Sequence, residues 1–197
     1  GTPIRLKVEQ VGVPEVSVET EAMTTMESTW ETLTFDFSNQ VDGTAEINFG
    51  STYNKASMFF NFGTDGATAG EQTYYWDDVT FVPGSGGGDG IELPIDFESM
   101  EVDYELTDFG GNNSMIVVDP TDAGNMVVQS IKAGDAQLWA GTTVGDATGF
   151  AMPIPFAPGA TSMTVRVWSP TSGTPIRLKV EQVGVPEVSV ETEAMTT

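Results

Sequence analysis

The strongest constraint on how this chain can fold is an internal repeat. Residues 1–25 read GTPIRLKVEQVGVPEVSVETEAMTT, and residues 173–197 read the same at every position. Gly1 thus recurs at Gly173, a period of 172 residues. Chance does not produce 25 identities in 25 positions, so the sequence is a stretch of a tandem array. It holds one full unit and a 25-residue overlap, and it is expected to begin and end inside a unit. A unit of this length suits one domain with a sizeable core.

Alternation of period 2, rich in β-branched and aromatic residues, dominates the chain. It runs through Ile4–Val11, Thr32–Ser38, Ser57–Gly63, Thr73–Val82, Ser114–Asp119, Asn125–Ile131 and Ser162–Ser169. Turn-rich clusters such as NQVDG, DPTDAGN and SPTSGTP lie between these runs. No window of helical length carries an apolar stripe. About ten short strands are expected, in an all-β antiparallel sandwich or barrel.

The stretch PGSGGGDG, Pro83–Gly90, has the composition of a flexible tether. It divides the chain into the C-terminal part of one repeat (1–84), a Gly-rich linker (85–90) and the N-terminal part of the next repeat (91–197). Residues 91–172 together with 1–84 contain every strand of one unit once. Such a chain can close as a circular permutant. Residues 1–25 and 173–197 then compete for one place in one sheet, and the surplus copy calls for a neighbouring repeat as partner, by strand exchange or continuation of the array.

The chemistry open to the chain is narrow. It has no histidine and no cysteine, which removes the commonest general base, the thiol nucleophile and nearly every zinc site. No nucleophile elbow or phosphate-cradling loop is present. An enzyme is not expected, although carboxylate pairs are plentiful. The net charge of −22, from 29 acids against 7 bases, opposes nucleic acid and anionic membrane. No apolar run is long enough to insert in a bilayer.

The succession IDFES, LTDFGGNNS, LWAG, MTVRVWSP, IRLKVE, STWETLTFDFS, MFFNFG and YYWDDVTFV resembles carbohydrate-binding-module-type domains of secreted and surface proteins of marine, polymer-degrading bacteria. The resemblance covers nearly the whole unit, in permuted order. It implies a jelly-roll sandwich of two antiparallel sheets, an extracellular or cell-surface location, and commonly a structural calcium. Asp96 and Glu98 stand two apart in IDFES, on one face of an expected first strand, and Asp77 and Asp78 lie in the last. Similarity to the module type points to Glu98 and one of Asp77 or Asp78 as Ca²⁺ ligands, with Asp96 beside them. The loop Asp119–Asn125 is a weaker acidic candidate.

Neutral polysaccharide is the other ligand the resemblance implies. Met163, Val165 and Val167 alternate with Thr164, Arg166 and Trp168, so the two sets face opposite ways. Tyr74, Trp76 and Asp78 likewise face opposite to Tyr75, Asp77, Val79 and Phe81. Trp168, Trp76, Arg166 and Tyr74 are the candidate sugar platform. The competing assignment puts these aromatic rings in the core, which is commoner for such residues. Trp30 and Trp139 read as structural, and Tyr53 and Tyr104 as loop-tip contacts. The expected function is a non-catalytic structural repeat of a large extracellular filament or adhesin. The alternative is a glycan-binding module of a polysaccharide-capturing or polysaccharide-degrading protein.

Overall fold

The computed structural model describes residues 5–10, 13–40, 45–82, 93–144 and 149–179. The linker 85–90 lies outside them. Eleven strands and one helical turn are present among the described residues. In chain order they are β1 (Arg5–Gln10), β2 (Val13–Met23), β3 (Trp30–Asp36), β4 (Lys55–Phe60), α1 (Gly66–Ala69), β5 (Gln72–Val82), β6 (Leu106–Phe109), β7 (Asn112–Asp119), β8 (Asp122–Lys132), β9 (Gly141–Val144), β10 (Ser162–Trp168) and β11 (Pro175–Lys179). The expected all-β sandwich is what forms. One sheet has the order β1-β2-β11-β4-β9-β6, and the other β3-β10-β5-β8-β7. No helix among the described residues is long and apolar enough to cross a membrane.

Alternation explains the five-stranded sheet. Along β10, Met163, Val165 and Val167 are fully buried, while Thr164, Arg166 and Trp168 are half-buried on the opposite side. The buried set packs with Leu33 and Phe35 of β3, Tyr74 and Trp76 of β5, and Val128 of β8. The facing sheet supplies Val18, Ala56, Met58, Phe60 and Val144. Phe37, Tyr53 and Phe81 each set a ring edge-on to Phe156, closing one end of the core. Burying rings of this size contributes roughly 1.5–3 kcal/mol each, so the inward half of the alternation is the main folding force.

Residues on both sides of the linker share this core. β5 precedes the linker, yet it pairs with β10 on one side and β8 on the other. Val79 and Ile95 exchange two backbone hydrogen bonds of 2.9 Å, which lay the segment from Leu93 to Glu98 beside β5. The segment IDFES forms no named strand. Phe97 takes a φ of 57°, which interrupts extended backbone, while its ring packs edge-on against Trp76 at 5.3 Å.

β5 departs from simple alternation. In its ladder with β10, Asp77 pairs with Arg166 and Thr80 with Thr164. Two residues, Asp78 and Val79, therefore oppose Val165 alone, which is a β-bulge. Asp78 adopts a φ of 50°, a left-handed conformation that aspartate tolerates better than most residues. The bulge changes the phase of the strand. Tyr74 and Trp76 face the core before it, and Val79 and Phe81 face the core after it. The expected grouping of Val79 and Phe81 with Tyr75 is thereby corrected.

The six-stranded sheet holds the repeat. β1 and β11 belong to the two identical copies, and both lie between β2 and β4. β11 pairs with β4 through Ile176↔Phe60, Arg177↔Phe59, Leu178↔Met58 and Lys179↔Ser57. β1 pairs with β4 through Val8↔Ala56 and Glu9↔Lys55. On the other side, Glu21 of β2 is the partner of both Arg5 and its twin Arg177. Leu6 and Lys7 run parallel to Leu178 and Lys179, each residue beside its own twin.

Candidate functional site

The outer face of the five-stranded sheet carries the densest polar chemistry among the described residues. Opposite residues of antiparallel strands share a face. Trp168 stands opposite Trp30 on β3 and opposite Tyr75 on β5. Tyr75 stands opposite Gln129 on β8, and Gln129 opposite Met115 on β7. These five side chains form one row across all five strands. The Tyr75 and Trp168 rings meet edge-on at 5.4 Å, and the Gln129 amide donates to the Tyr75 hydroxyl at 2.9 Å.

Beside that row lies a charged cluster. Arg166 donates from Nη1 to Asp77 Oδ2 at 3.3 Å and from Nη2 to Asp119 Oδ2 at 3.2 Å. Its guanidinium lies 3.9 Å from the centre of the Trp30 ring. The Trp30 indole N–H donates to Asp119 Oδ1 at 3.3 Å and to the Thr121 hydroxyl at 3.0 Å. Asn125 donates to Asp77 at 3.0 Å. The arginine side chain is 27% exposed, while the two carboxylates are 1% and 0% exposed. One cation therefore serves two buried anions, and removing it would strand both.

The two carboxylates respond differently to burial. Desolvation pushes Asp77 up to about 6, against the Asn125 hydrogen bond and the Arg166 charge. Desolvation acts the same way on Asp119. There, hydrogen bonds from the Thr121 N–H and hydroxyl, from Trp30 and from Asn125 outweigh it, and Asp119 lies below the ordinary carboxylate value. Asp119 is thus the pivot of the β7–β8 hairpin, and the loop Asp119–Asn125 is tied into this cluster.

The candidate sugar residues are divided between the faces. Trp168 and Arg166 stand on the outer face and are half-buried. Trp76 and Tyr74 are corrected to the core, both 0% exposed. The reason is register. Trp76 lies opposite Val167, not opposite Trp168, and its indole donates to the buried Ser130 hydroxyl at 3.1 Å. Tyr75 and Trp30 take their places beside Trp168. Tyr75 could have been found by treating Trp168 and Tyr75 as one face, but the strand register that proves it is tertiary.

Tyr53, expected at a loop tip, is 1% exposed, with its hydroxyl accepting from the Asn48 N–H at 3.0 Å. Tyr104 is half-buried against Phe97. Trp139 is 44% exposed and stacks on Phe109.

The four carboxylates expected to hold calcium do not gather. Asp77 is occupied by Arg166 and Asn125. Asp78 is exposed on the bulge. Glu98 accepts from the Met126 N–H, and Asp96 accepts from the Glu98 N–H in a tight local turn. Asp96 and Glu98 were expected on one strand face, and the left-handed Phe97 between them removes that strand. Among the described residues, no three His, Cys, Asp or Glu side chains are grouped to share a metal ion. These residues do not fit calcium ligation as placed.

Comparison with protein-family models, with curated proteins and with solved structures finds no match to this chain.

Proposed function

We propose that this chain is a non-catalytic structural repeat of a large extracellular filament or adhesin, built on a scaffold like that of carbohydrate-binding modules. The observation that carries this reading is the identity of residues 1–25 with 173–197. Independently drifting domains do not keep 25 positions unchanged, so the units are under recent duplication or homogenisation. Long arrays of near-identical units suit a fibre, where each unit need only be rigid and soluble. The charge of −22 supports solubility and self-repulsion between arrays, and the absence of histidine and cysteine supports a role without catalysis.

An antibody raised against the 197 residues tests it on intact cells of the source organism. The expected result is surface labelling, with the antigen many times larger than 21.0 kDa and limited proteolysis giving a ladder spaced by one unit. An intracellular antigen with a single copy of the unit ends the reading.

One observation favours a second reading, a glycan-binding module. It is the outer-face row Trp30, Trp168 and Tyr75 beside Arg166. Flat half-exposed rings flanked by hydrogen-bonding groups suit a neutral sugar. Retention on an immobilised neutral polysaccharide, lost in Trp168→Ala without loss of fold, is the expected outcome. Trp76→Ala is unsuitable for this purpose, because emptying a core tryptophan site costs about 3–5 kcal/mol by itself.

A further inference from the structure

The two ends of the sandwich are closed by different chemistry. Phe81, near the end of β5, belongs to the ring cluster on Phe156. At the start of β5, Gln72 pairs with Lys132, the last residue of β8. Lys132 is 1% exposed, and a lysine so deeply buried needs partners for its charge. Its ammonium donates to three main-chain carbonyls, those of Phe60 at 3.0 Å, Asn61 at 3.1 Å and Leu138 at 3.4 Å. An ammonium has three N–H donors and no acceptor, so three carbonyls match it in number. The Asp65 carboxylate lies below its ordinary value, first through hydrogen bonds from the Thr68 hydroxyl and N–H, with the Lys132 charge adding to them.

The three carbonyls come from separate parts of the fold. Phe60 ends β4 in the six-stranded sheet, while Lys132 ends β8 in the five-stranded one. Leu138 belongs to the loop 133–140, which leads from β8 to β9. One cation therefore ties two sheets and a loop together. The same loop is held by main-chain bonds. The Gly63 N–H donates to the Leu138 carbonyl at 3.2 Å, the Gly66 N–H to the Ala136 carbonyl at 2.8 Å, and the Gln137 N–H to the Gly110 carbonyl at 2.8 Å. Gly66 lies so close that a Cβ there would collide with the Ala133 carbonyl oxygen. Leu138 and Trp139 on this loop are each 44% exposed, with Trp139 resting on the Phe109 ring. Half-exposed side chains contribute little burial, so the loop depends on the bonds to its main chain.

We propose that the carbonyls of Phe60, Asn61 and Leu138 form a monovalent-cation site whose resident cation is the Lys132 ammonium, and that this internal cation fixes the loop presenting Leu138 and Trp139. The donor set selects the cation. Three neutral carbonyls leave a divalent charge unbalanced, and calcium takes carboxylates and other oxygens at about 2.3–2.6 Å. The 3.0 and 3.1 Å spacings are those of N–H···O bonds. Bonds of this kind, assisted by charge, are about twice as strong as neutral ones. A cation tethered to β8 is lost neither to dilution nor to a chelator, so this end of the sandwich carries its own fastening. The site is independent of both the repeat reading and the glycan reading.

The test uses the full chain, first as wild type. Heteronuclear NMR of the lysine side chains is expected to show one slowly exchanging ammonium, that of Lys132, coupled across its hydrogen bonds to the carbonyl carbons of Phe60, Asn61 and Leu138. A neutral Lys132 amine, or an ammonium exchanging as fast as those of exposed lysines, overturns the proposal. Lys132→Ala then deletes Cγ, Cδ, Cε and Nζ, which are the heavy atoms of n-propylammonium. Amides of the loop 133–140 are expected to exchange about tenfold faster in this variant, with those of β10 unchanged. Added n-propylammonium restores slow exchange and raises the melting temperature of the variant. Tetramethylammonium at equal ionic strength has the charge without N–H donors, n-propanol has the shape without the charge, and neither restores it. Wild type responds to none of the three. Rescue by n-propanol to the same degree makes the site a mere cavity and overturns the proposal, as does failure of n-propylammonium to rescue a folded variant. Should Lys132→Ala fail to fold, the wild-type spectrum decides alone.

Discussion

At Asp77 two demands meet. The residue is on the sheet face away from the core, yet it is 1% exposed, roofed by Arg166 and Asn125. Its Oδ1 atom has no hydrogen-bond partner, so the negative form is poorly solvated and its pKa rises from 3.8 to about 6. A carboxylate with a raised folded pKa binds more protons folded than unfolded. Its contribution to stability is full below about pH 3.8 and is lost as pH climbs through about 6. The loss is on the order of 2–3 kcal/mol. Asp77→Asn removes this titration. Its melting temperature relative to wild type is therefore expected to be more favourable at pH 7 than at pH 4, read by thermal denaturation at both. An equal difference at the two pH values contradicts the environment described for Asp77. Asp119 is held low by its hydrogen bonds and shares Arg166 and Asn125 with Asp77, so Asp119→Asn and the double variant complete the comparison as a cycle.

Among the elements, β5 shows how one inserted residue sets a whole strand. A period-2 pattern places Trp76 and Phe81 on opposite faces, yet both rings are in the core. The bulge at Asp78 and Val79 reconciles them. Deleting Asp78 restores regular pairing and turns either Tyr74 and Trp76 or Val79 and Phe81 out of the core. Losing two large core side chains, each worth roughly 1.5–3 kcal/mol, removes about 3–6 kcal/mol, comparable to the whole stability of a domain at the low end of about 5–15 kcal/mol. The deletion is expected to abolish the cooperative denaturant transition followed by tryptophan fluorescence. A variant that unfolds like wild type would mean that β5 tolerates either phase. Asp78→Gly retains the bulge and relieves the left-handed conformation, so it serves as the control.

On the scale of the whole molecule, the linker at 85–90 does not separate two cores. β5 from before it lies between β8 and β10 from after it, and Val79 and Ile95 are bonded across it. If residues 85–90 are replaced by a specific protease site and cut, the two fragments are expected to co-elute in size exclusion as one particle, and to part only in denaturant. Separation in native buffer would show that the pieces on either side fold apart.

Much of the fold was legible in the sequence, and the reasons differ by element. β10 alternates cleanly because one face meets the core and the other does not, so spacing alone separates Met163, Val165 and Val167 from Thr164, Arg166 and Trp168, and burial shows that the first set is inward. β2 also alternates, Val16, Val18, Thr20 and Ala22 against Glu15, Ser17, Glu19 and Glu21, although Pro14 stands near its start. β6 and β9 have only four residues each, too few to establish a period. The candidate site was legible in part. Trp168 and Arg166 share an outward face by alternation within one strand. Their neighbours Tyr75 and Trp30 come from β5 and β3, and pairing between strands distant in sequence is not encoded in local alternation.

The sequence by itself determined that a 25-residue segment recurs, that the chain is built of strands, and which residues of β10 share a face. Each of these follows from identity or from the two-residue period of extended backbone. Only the tertiary structure decided that Trp76 and Trp168 lie on opposite faces, that Asp77 answers to Arg166, and that β1 and β11 both pair with β2 and β4. Those depend on register between strands far apart in the chain, and a shift of one residue there moves a side chain from solvent to core.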